Sequence, residues 1–337
     1  MKNRFFNKIS RRTWGEWIAP LLIALTVGTA PSTVLAQDAF PDRSLSIVVA
    51  FGTGGVSDIT ARVIADPLGK ALGQRVLVKN MPGSSGAVAS QYVLQAGNDG
   101  YTLLNMGNAA TIRATLMPNF EPDQLREFQP VSPIAKFGLV VVTAPNSEID
   151  SIGDLVNKAN KNPGSVNIGT VASGSTQNLS ARLFKSVADI DAAIIPYKST
   201  PELMAAVARG DVDIVVEITA GALSAIKNEQ VRAIATTMAH RSKVLPDVPT
   251  VEEEGVKPFD VSSWSSYVVP NGAPGYVIAK LNSEIQRVLK MPDIRKKLLA
   301  YGIEPFIGGP DAVDKRIEED VAKWRDVINE AGMPIQN

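Results

Sequence analysis

Short apolar runs alternate with stretches of helical periodicity along most of the chain, and this alternation constrains the fold more than any other feature. "LSIVVAF" (45–51) precedes a helical pattern over 58–72, "RVLVKN" (75–80) one over 84–96, and "YTLLNM" (101–106) one over 109–117. Strand–helix–strand units on a parallel sheet satisfy that order. The runs are continuous rather than alternating, as expected of strands covered by helices on both faces. A second series runs from "VNIGT" (166–170) through 175–187, "AAIIPY" (192–197), 201–209, "VDIVVEI" (212–218) and 220–227 to "VRAIATT" (231–237). Three helical patterns close the chain, over 274–290, 293–301 and 311–330. Two extended segments, 135–144 and 259–270, bracket the second series and read as strands crossing between two α/β lobes. The expected organisation is a discontinuous first lobe, 37–140 with 266–337, and an inserted second lobe, 141–265, with a cleft and a hinge between them.

In open α/β sheets ligands bind beyond the carboxyl ends of the strands, where loop amides and helix N-termini meet. Four loops stand there: "GTGGVSD" (52–58), "GNAAT" (107–111), "VASGST" (171–176) and "KST" (198–200). All are small, polar or glycine-rich, which lets backbone N–H groups and hydroxyls approach a carboxylate or polar organic molecule. Each residue also has a plainer reading. Gly54 and Gly55 suit a tight turn, and Ser57 or Asp58 suits a helix cap. Glu217 ends a buried strand, either facing the cleft or capping the next helix. Trp264 either walls the cleft or packs in the crossover, and Lys198 reads as a solvated strand end. Arg113, a few residues into the helix after "GNAAT", is either solvated or reaches back to a second carboxylate.

Composition removes competing functions. The 34 basic and 34 acidic residues balance, against the basic surface that nucleic acid requires. Zero cysteines exclude disulfides and thiolate chemistry, and one histidine cannot make a His-rich metal site. "GTGGVSD" lacks the lysine of a triphosphate-binding loop, and Ser57 stands where a dinucleotide fingerprint needs its third glycine. His240 lies far along the chain from "VASGST", so a serine-hydrolase triad has no support. No cofactor or metal is expected. Residues 1–36 combine a basic, acid-free start, an apolar stretch shorter than the roughly 20 residues of a membrane span, and "TVLAQ" as a cleavage site after Ala36. They read as a signal peptide, with paired Arg11 and Arg12 compatible with either general or twin-arginine export, and the mature chain reads as soluble and periplasmic.

With "GGVSD" (54–58), "ARVIADPLGKALGQRVLVKNMPGSSGAVAS" (61–90), "DGYTLL" (99–104), "NPGSVNIGT" (162–170), "PYKST" (196–200), "DVPTVEEEG" (247–255) and "SW" (263–264) in this order, the chain resembles the periplasmic substrate-binding proteins of the tripartite tricarboxylate transporters, the Bug receptors. The resemblance covers essentially the whole mature chain. It implies a two-lobed, type II-like Venus-flytrap receptor with two crossover strands that hands a small organic carboxylate to integral membrane transporter subunits and catalyses nothing, and a monomer is expected. Carried onto this sequence, it implies that Gly54, Gly55, Val56 and Ser57 hold one carboxylate through their amides while Asp58 braces the turn. Gly107 and Asn108 follow from the third-strand loop, and Ser173, Ser175, Thr176, Ser199 and Thr200 from the second lobe. Two departures stand out. Glu217 replaces the shorter aspartate common in relatives, and "AFGTGG" replaces their proline-containing loop. A hydrolase or isomerase using Glu217 as base is the competing expectation.

Overall fold

The computed structural model describes residues 40–335, so the signal-peptide reading of 1–36 lies outside the described residues. The chain begins with β1 (Leu45–Val49), α1 (Val56–Leu72), β2 (Val76–Asn80), a 3-10 turn (Ser84–Gly86), α2 (Ala87–Gln95), β3 (Thr102–Gly107) and α3 (Asn108–Leu116). A short α4 (Gln124–Glu127) leads into β4 (Phe128–Thr143), a strand of 16 residues. Then follow α5 (Ile152–Lys161), β5 (Val166–Val171), α6 (Thr176–Val187), β6 (Ala192–Tyr197), α7 (Thr200–Arg209), β7 (Ile214–Ile218), α8 (Thr219–Lys227) and β8 (Arg232–Thr236). The last part comprises β9 (Ser262–Pro270), α9 (Gly275–Leu289), α10 (Pro292–Leu299), β10 (Ile303–Pro305) and α11 (Pro310–Glu330).

The strands join in the order β2-β1-β3-β9-β4-β7-β5-β6, with β8 and β10 also paired to β4. β1 pairs in parallel with β2 and β3, and β5 with β6 and β7, as the strand–helix alternation requires. β4 belongs to both halves. Its residues up to Gly138 pair with β9, and from Leu139 onward it pairs with β7 and β8. Gly138 sits at this exchange, where a β-carbon would come within 2.7 Å of the Met238 sulfur.

Each half is packed on both faces. In the first, α1, α9 and α10 cover one side through Ile64, Leu68, Leu281, Ile285 and Leu298, and Trp264, Val268 and Val313 fill the other. In the second, Leu155, Leu179 and Phe184 lie on one side and Leu203, Val207 and Ala222 on the other. α11 bridges the halves: Val313, near its start, packs in the first, and Trp324, Val327 and Ile328 in the second. At 1.5 Å per residue a helix of 21 residues is about 30 Å long, enough for that reach.

Candidate functional site

Helices run antiparallel to the strands they follow, so α1, α2 and α3 start at the carboxyl ends of β1, β2 and β3, and α6, α7 and α8 at those of β5, β6 and β7. The two sets of helix starts meet where the Asn108 side-chain amide donates to Thr176 Oγ1 at 2.9 Å. Nearby, Gly174 packs so closely on Leu116 that an added β-carbon would lie 3.1 Å from it. The candidate site is the space these loops surround.

On the first side the glycine loop is held by one carboxylate. Asp58, only 3% exposed, accepts the Gly54 N–H at 2.9 Å on one oxygen, and Arg62 Nε and Asn80 Nδ2, both at 2.9 Å, on the other. Burial works to raise its pKa, but these donors and the Arg62 charge outweigh it and hold the carboxyl below its ordinary range. The Gly54 amide is therefore spent on the brace and is not offered to a ligand. α1 starts at Gly55 with no side-chain cap, and the first-turn amides of a helix have no intrahelical partner. Val56 and Ser57 bring such amides to a loop whose residues 51–55 are exposed.

The two glycines differ in what they require. Gly54 has φ 82°, a conformation costly for other residues, whereas Gly55 has φ −75° and a β-carbon there would meet only the Gly52 oxygen at an ordinary 3.6 Å. Gly54→Ala is expected to destabilise the protein by about 1–2 kcal/mol, and Gly55→Ala to leave thermal unfolding almost unchanged. Paired melting curves check this, and equal losses would show the loop to be more tightly packed than its geometry implies.

The second side has its own brace. Glu217, 1% exposed at the end of β7, accepts from Gln177 Nε2 and the Ile218 N–H at 2.6 Å on one oxygen and from Thr200 Oγ1 at 2.7 Å on the other. Burial raises its pKa, and the three donors only partly offset that. This carboxylate thus ties the starts of α6 and α7 to β7 rather than standing free as a base or ligand contact. Ser175 and Ser199 cap α6 and α7, accepting the Asn178 and Glu202 N–H groups at 3.1 and 3.4 Å. Ser173 is exposed at the tip of its loop.

Several residues expected at the ligand are occupied elsewhere. The Asn108 side-chain oxygen accepts from Trp324 Nε1 at 2.8 Å and from Thr111 Oγ1 at 3.1 Å, so with Thr176 its side chain is engaged at both ends. Gly107 is required by the opposite strand, since a β-carbon would lie 2.3 Å from the Trp264 carbonyl oxygen. Trp264 does not wall the cleft. It is 1% exposed among Val268, Phe306 and Val313, and its indole N–H donates to Asp320 at 2.6 Å.

Arg113 is not simply solvated. Its guanidinium donates to the Ser85 carbonyl at 2.5 Å and stacks 4.8 Å from the Phe120 ring centroid. Burial lowers its pKa, and the Asp123 charge acts the other way. The partner loop was not singled out as a site from the sequence. Ser84 and Ser85 have φ 44° and 51°, and Gly83 and Gly86 are also positive, a contorted turn at the carboxyl end of β2. The flanking glycines in "PGSSG" were its signal. Gly86 lies close enough to Ala50 and Arg113 that a β-carbon would be 3.6 Å from each, which brings this loop, Arg113 and the end of β1 together.

Among the described residues no cluster of His, Cys, Asp or Glu could hold a metal ion, and no helix is long and apolar enough to cross a membrane. His240 is exposed, with Nδ1 3.3 Å from the Arg241 carbonyl.

Residues 60–333 match the model of the tripartite tricarboxylate transporter family receptor. Protein BugT of Bordetella pertussis is 30% identical over 318 residues, 94% of this chain and 98% of BugT. The solved structure of R. palustris Rpa4515 with adipate is similar at TM-score 0.78 and 29% identity, covering 87% of this chain and 98% of that one. MatC (Rpa3494) from Rhodopseudomonas palustris with bound malate is similar at TM-score 0.74 and 27% identity, covering 86% and 100%. With its two-lobed fold and a family match spanning nearly all of the described residues, the chain belongs to the tripartite tricarboxylate transporter family receptors, the Bug proteins among them.

Proposed function

We propose that this protein is a periplasmic solute receptor that captures a small organic carboxylate and delivers it, chemically unchanged, to the integral membrane subunits of a tripartite transporter. The observation that carries this reading is the pair of braced loops. Asp58 and Glu217 are consumed in bracing their loops, and the starts of α3 and α6 meet at the Asn108–Thr176 contact, with the uncapped start of α1 on the same strand ends as α3. Helix-start amides and hydroxyls are donors suited to a carboxylate, and the helix dipoles favour its charge. Similarity to structures holding adipate and malate supports the same ligand class. Gly55, Val56 and Ser57 take one carboxylate through their amides, with Ser173, Ser175, Thr176 and Ser199 closing from the other lobe together with Thr200, which offers its backbone N–H because its hydroxyl proton goes to Glu217. The lobes comprise 37–140 with 266–337 and 141–265, and the receptor acts as a monomer after cleavage behind Ala36.

Arg113 reads the second end of the ligand. A planar guanidinium suits bidentate carboxylate binding, and one N–H to Ser85 leaves further donors on the same fork. Titration calorimetry of the mature protein against linear dicarboxylates and their monoamides tests the proposal. Saturable one-to-one binding with unchanged ligand is expected, and product formation or no binding by any carboxylate would overturn it. Arg113→Gln is expected to weaken a dicarboxylate by about 1.5–3 kcal/mol and a monocarboxylate of similar shape much less.

A further inference from the structure

Three buried polar groups on one face of the first half-sheet lack a hydrogen-bond partner: Asn105 Nδ2, Ser265 Oγ and the Tyr267 hydroxyl. Their residues are 4%, 1% and 0% exposed. Buried polar groups are almost always paired, so three orphans together require an explanation.

They are neighbours. Asn105 of β3 stands opposite Tyr267 of β9, and Gly107 opposite Ser265. Side chains two apart on a strand share a face, which puts Ser263, Ser265, Tyr267 and Asn105 on one side. The apolar residues in step with them, Val49, Leu103 and Val269, pack beneath α1 and α9, while Leu104, Met106 and Trp264 pack on the opposite face. The stripe therefore lies on the face that α1 covers, and the glycine loop opens α1 at its upper end. Because β9 is antiparallel to β3, its first residues lie at the carboxyl end of β3, beside the candidate site. Exposure falls from 6% at Ser263 to 1% at Ser265 and 0% at Tyr267, so the stripe descends from the floor of the site into the core.

We infer that Asn105, Ser263, Ser265 and Tyr267 form an uncharged hydrogen-bonding floor that selects a carboxylate bearing a neutral oxygen, a hydroxyl or keto group, next to its carboxyl. This rests on the carboxylate-receptor reading above. The stripe holds an amide that donates and hydroxyls that donate or accept, and no charged side chain. A second carboxylate placed on it would be a buried charge without a counter-ion, whereas a hydroxyl both gives and takes a hydrogen bond. Burial holds the Tyr267 phenol protonated by raising its pKa, so the floor stays neutral.

Malate and succinate differ only by a hydroxyl and make the test direct. Calorimetry on the mature wild type, Ser265→Ala and Tyr267→Phe gives the affinity ratio, and melting of each ligand-free protein gives stability. The wild type is expected to prefer malate by about ten-fold, the worth of one or two hydrogen bonds. Each variant should lose most of that preference while binding succinate within about two-fold of wild type. Ligand-free melting temperatures should stay level or rise, since an orphaned polar group has been removed. An unchanged malate-to-succinate ratio, equal loss for both ligands, or lowered ligand-free stability would each overturn the floor while leaving the receptor reading standing. A wild type that binds no carboxylate would overturn both.

Discussion

Asp58→Ala is expected to lower stability by about 2–4 kcal/mol and to abolish measurable carboxylate binding, because one substitution releases three donors. The Gly54 N–H, Arg62 and Asn80 all converge on this carboxylate, so the loop loses its anchor to α1 and keeps only the Asn80 bond to the Phe51 carbonyl as its tie to β2. Asp58→Asn should not restore it. An amide presents one acceptor, and its NH2 would oppose either the Gly54 N–H or the Arg62–Asn80 pair. The pH dependence has a definite sign. A carboxyl whose pKa is depressed by folding contributes stability above its unfolded value and loses it as pH falls through the depressed one. Acid titration of the melting temperature should therefore be steeper for wild type than for Asp58→Asn. Denaturant unfolding and calorimetry decide the matter, and wild-type affinity in Asp58→Ala would show that the loop needs no brace.

Glu217 gives the second large effect with the opposite pH behaviour. Glu217→Ala leaves Gln177, Thr200 and the Ile218 N–H without their acceptor in a buried site, and about 2–4 kcal/mol of stability should be lost. Glu217→Gln keeps an acceptor for Gln177 and Ile218 and turns the Thr200 hydroxyl into an acceptor, so it should remain within about 1 kcal/mol of wild type. Burial raises the pKa of this acid on folding, so its contribution is fully present below the unfolded value and is lost as pH rises through the folded one. Stability curves of wild type and Glu217→Gln should consequently diverge above the usual carboxylate range, with the amide favoured. A glutamine variant as damaged as the alanine variant would show that the negative charge itself is needed.

The strand–helix alternation was legible because helices on both faces make each strand a continuous apolar run. β1–β3 and β5–β8 coincide with the runs read from the sequence to within two residues at either end. β4 was read only over 135–144 because Pro130 and Pro133 interrupt its first part. There the ladder with β9 shifts register and accommodates them. α5 was not read at all, although Ser151 caps it by accepting the Asp154 N–H at 3.0 Å. At the site, loop positions were legible and side-chain availability was not. Asn108 follows a strand end and looks free until Trp324, 216 residues later, donates to it. The same holds for Glu217 and Trp264, since nothing local reveals that Gln177 and Thr200 donate to the one and that the other donates to Asp320.

The position of β9 has a consequence for how this chain comes into being. β3 pairs with β1 on one side and with β9 on the other, yet β9 begins only at Ser262. A chain made, or threaded through a membrane, N-terminus first therefore carries an unpaired β3 edge until most of its length has emerged. Open edges invite pairing with other chains, and contacts so distant in sequence close slowly. Trp324, still later, carries the indole that fixes Asn108. The first half of the receptor is thus the first to be synthesised and cannot be completed until the end of the chain arrives. A product truncated before Ser262 is a sheet with an exposed edge, and keeping the chain unfolded until it is whole protects it from its own neighbours.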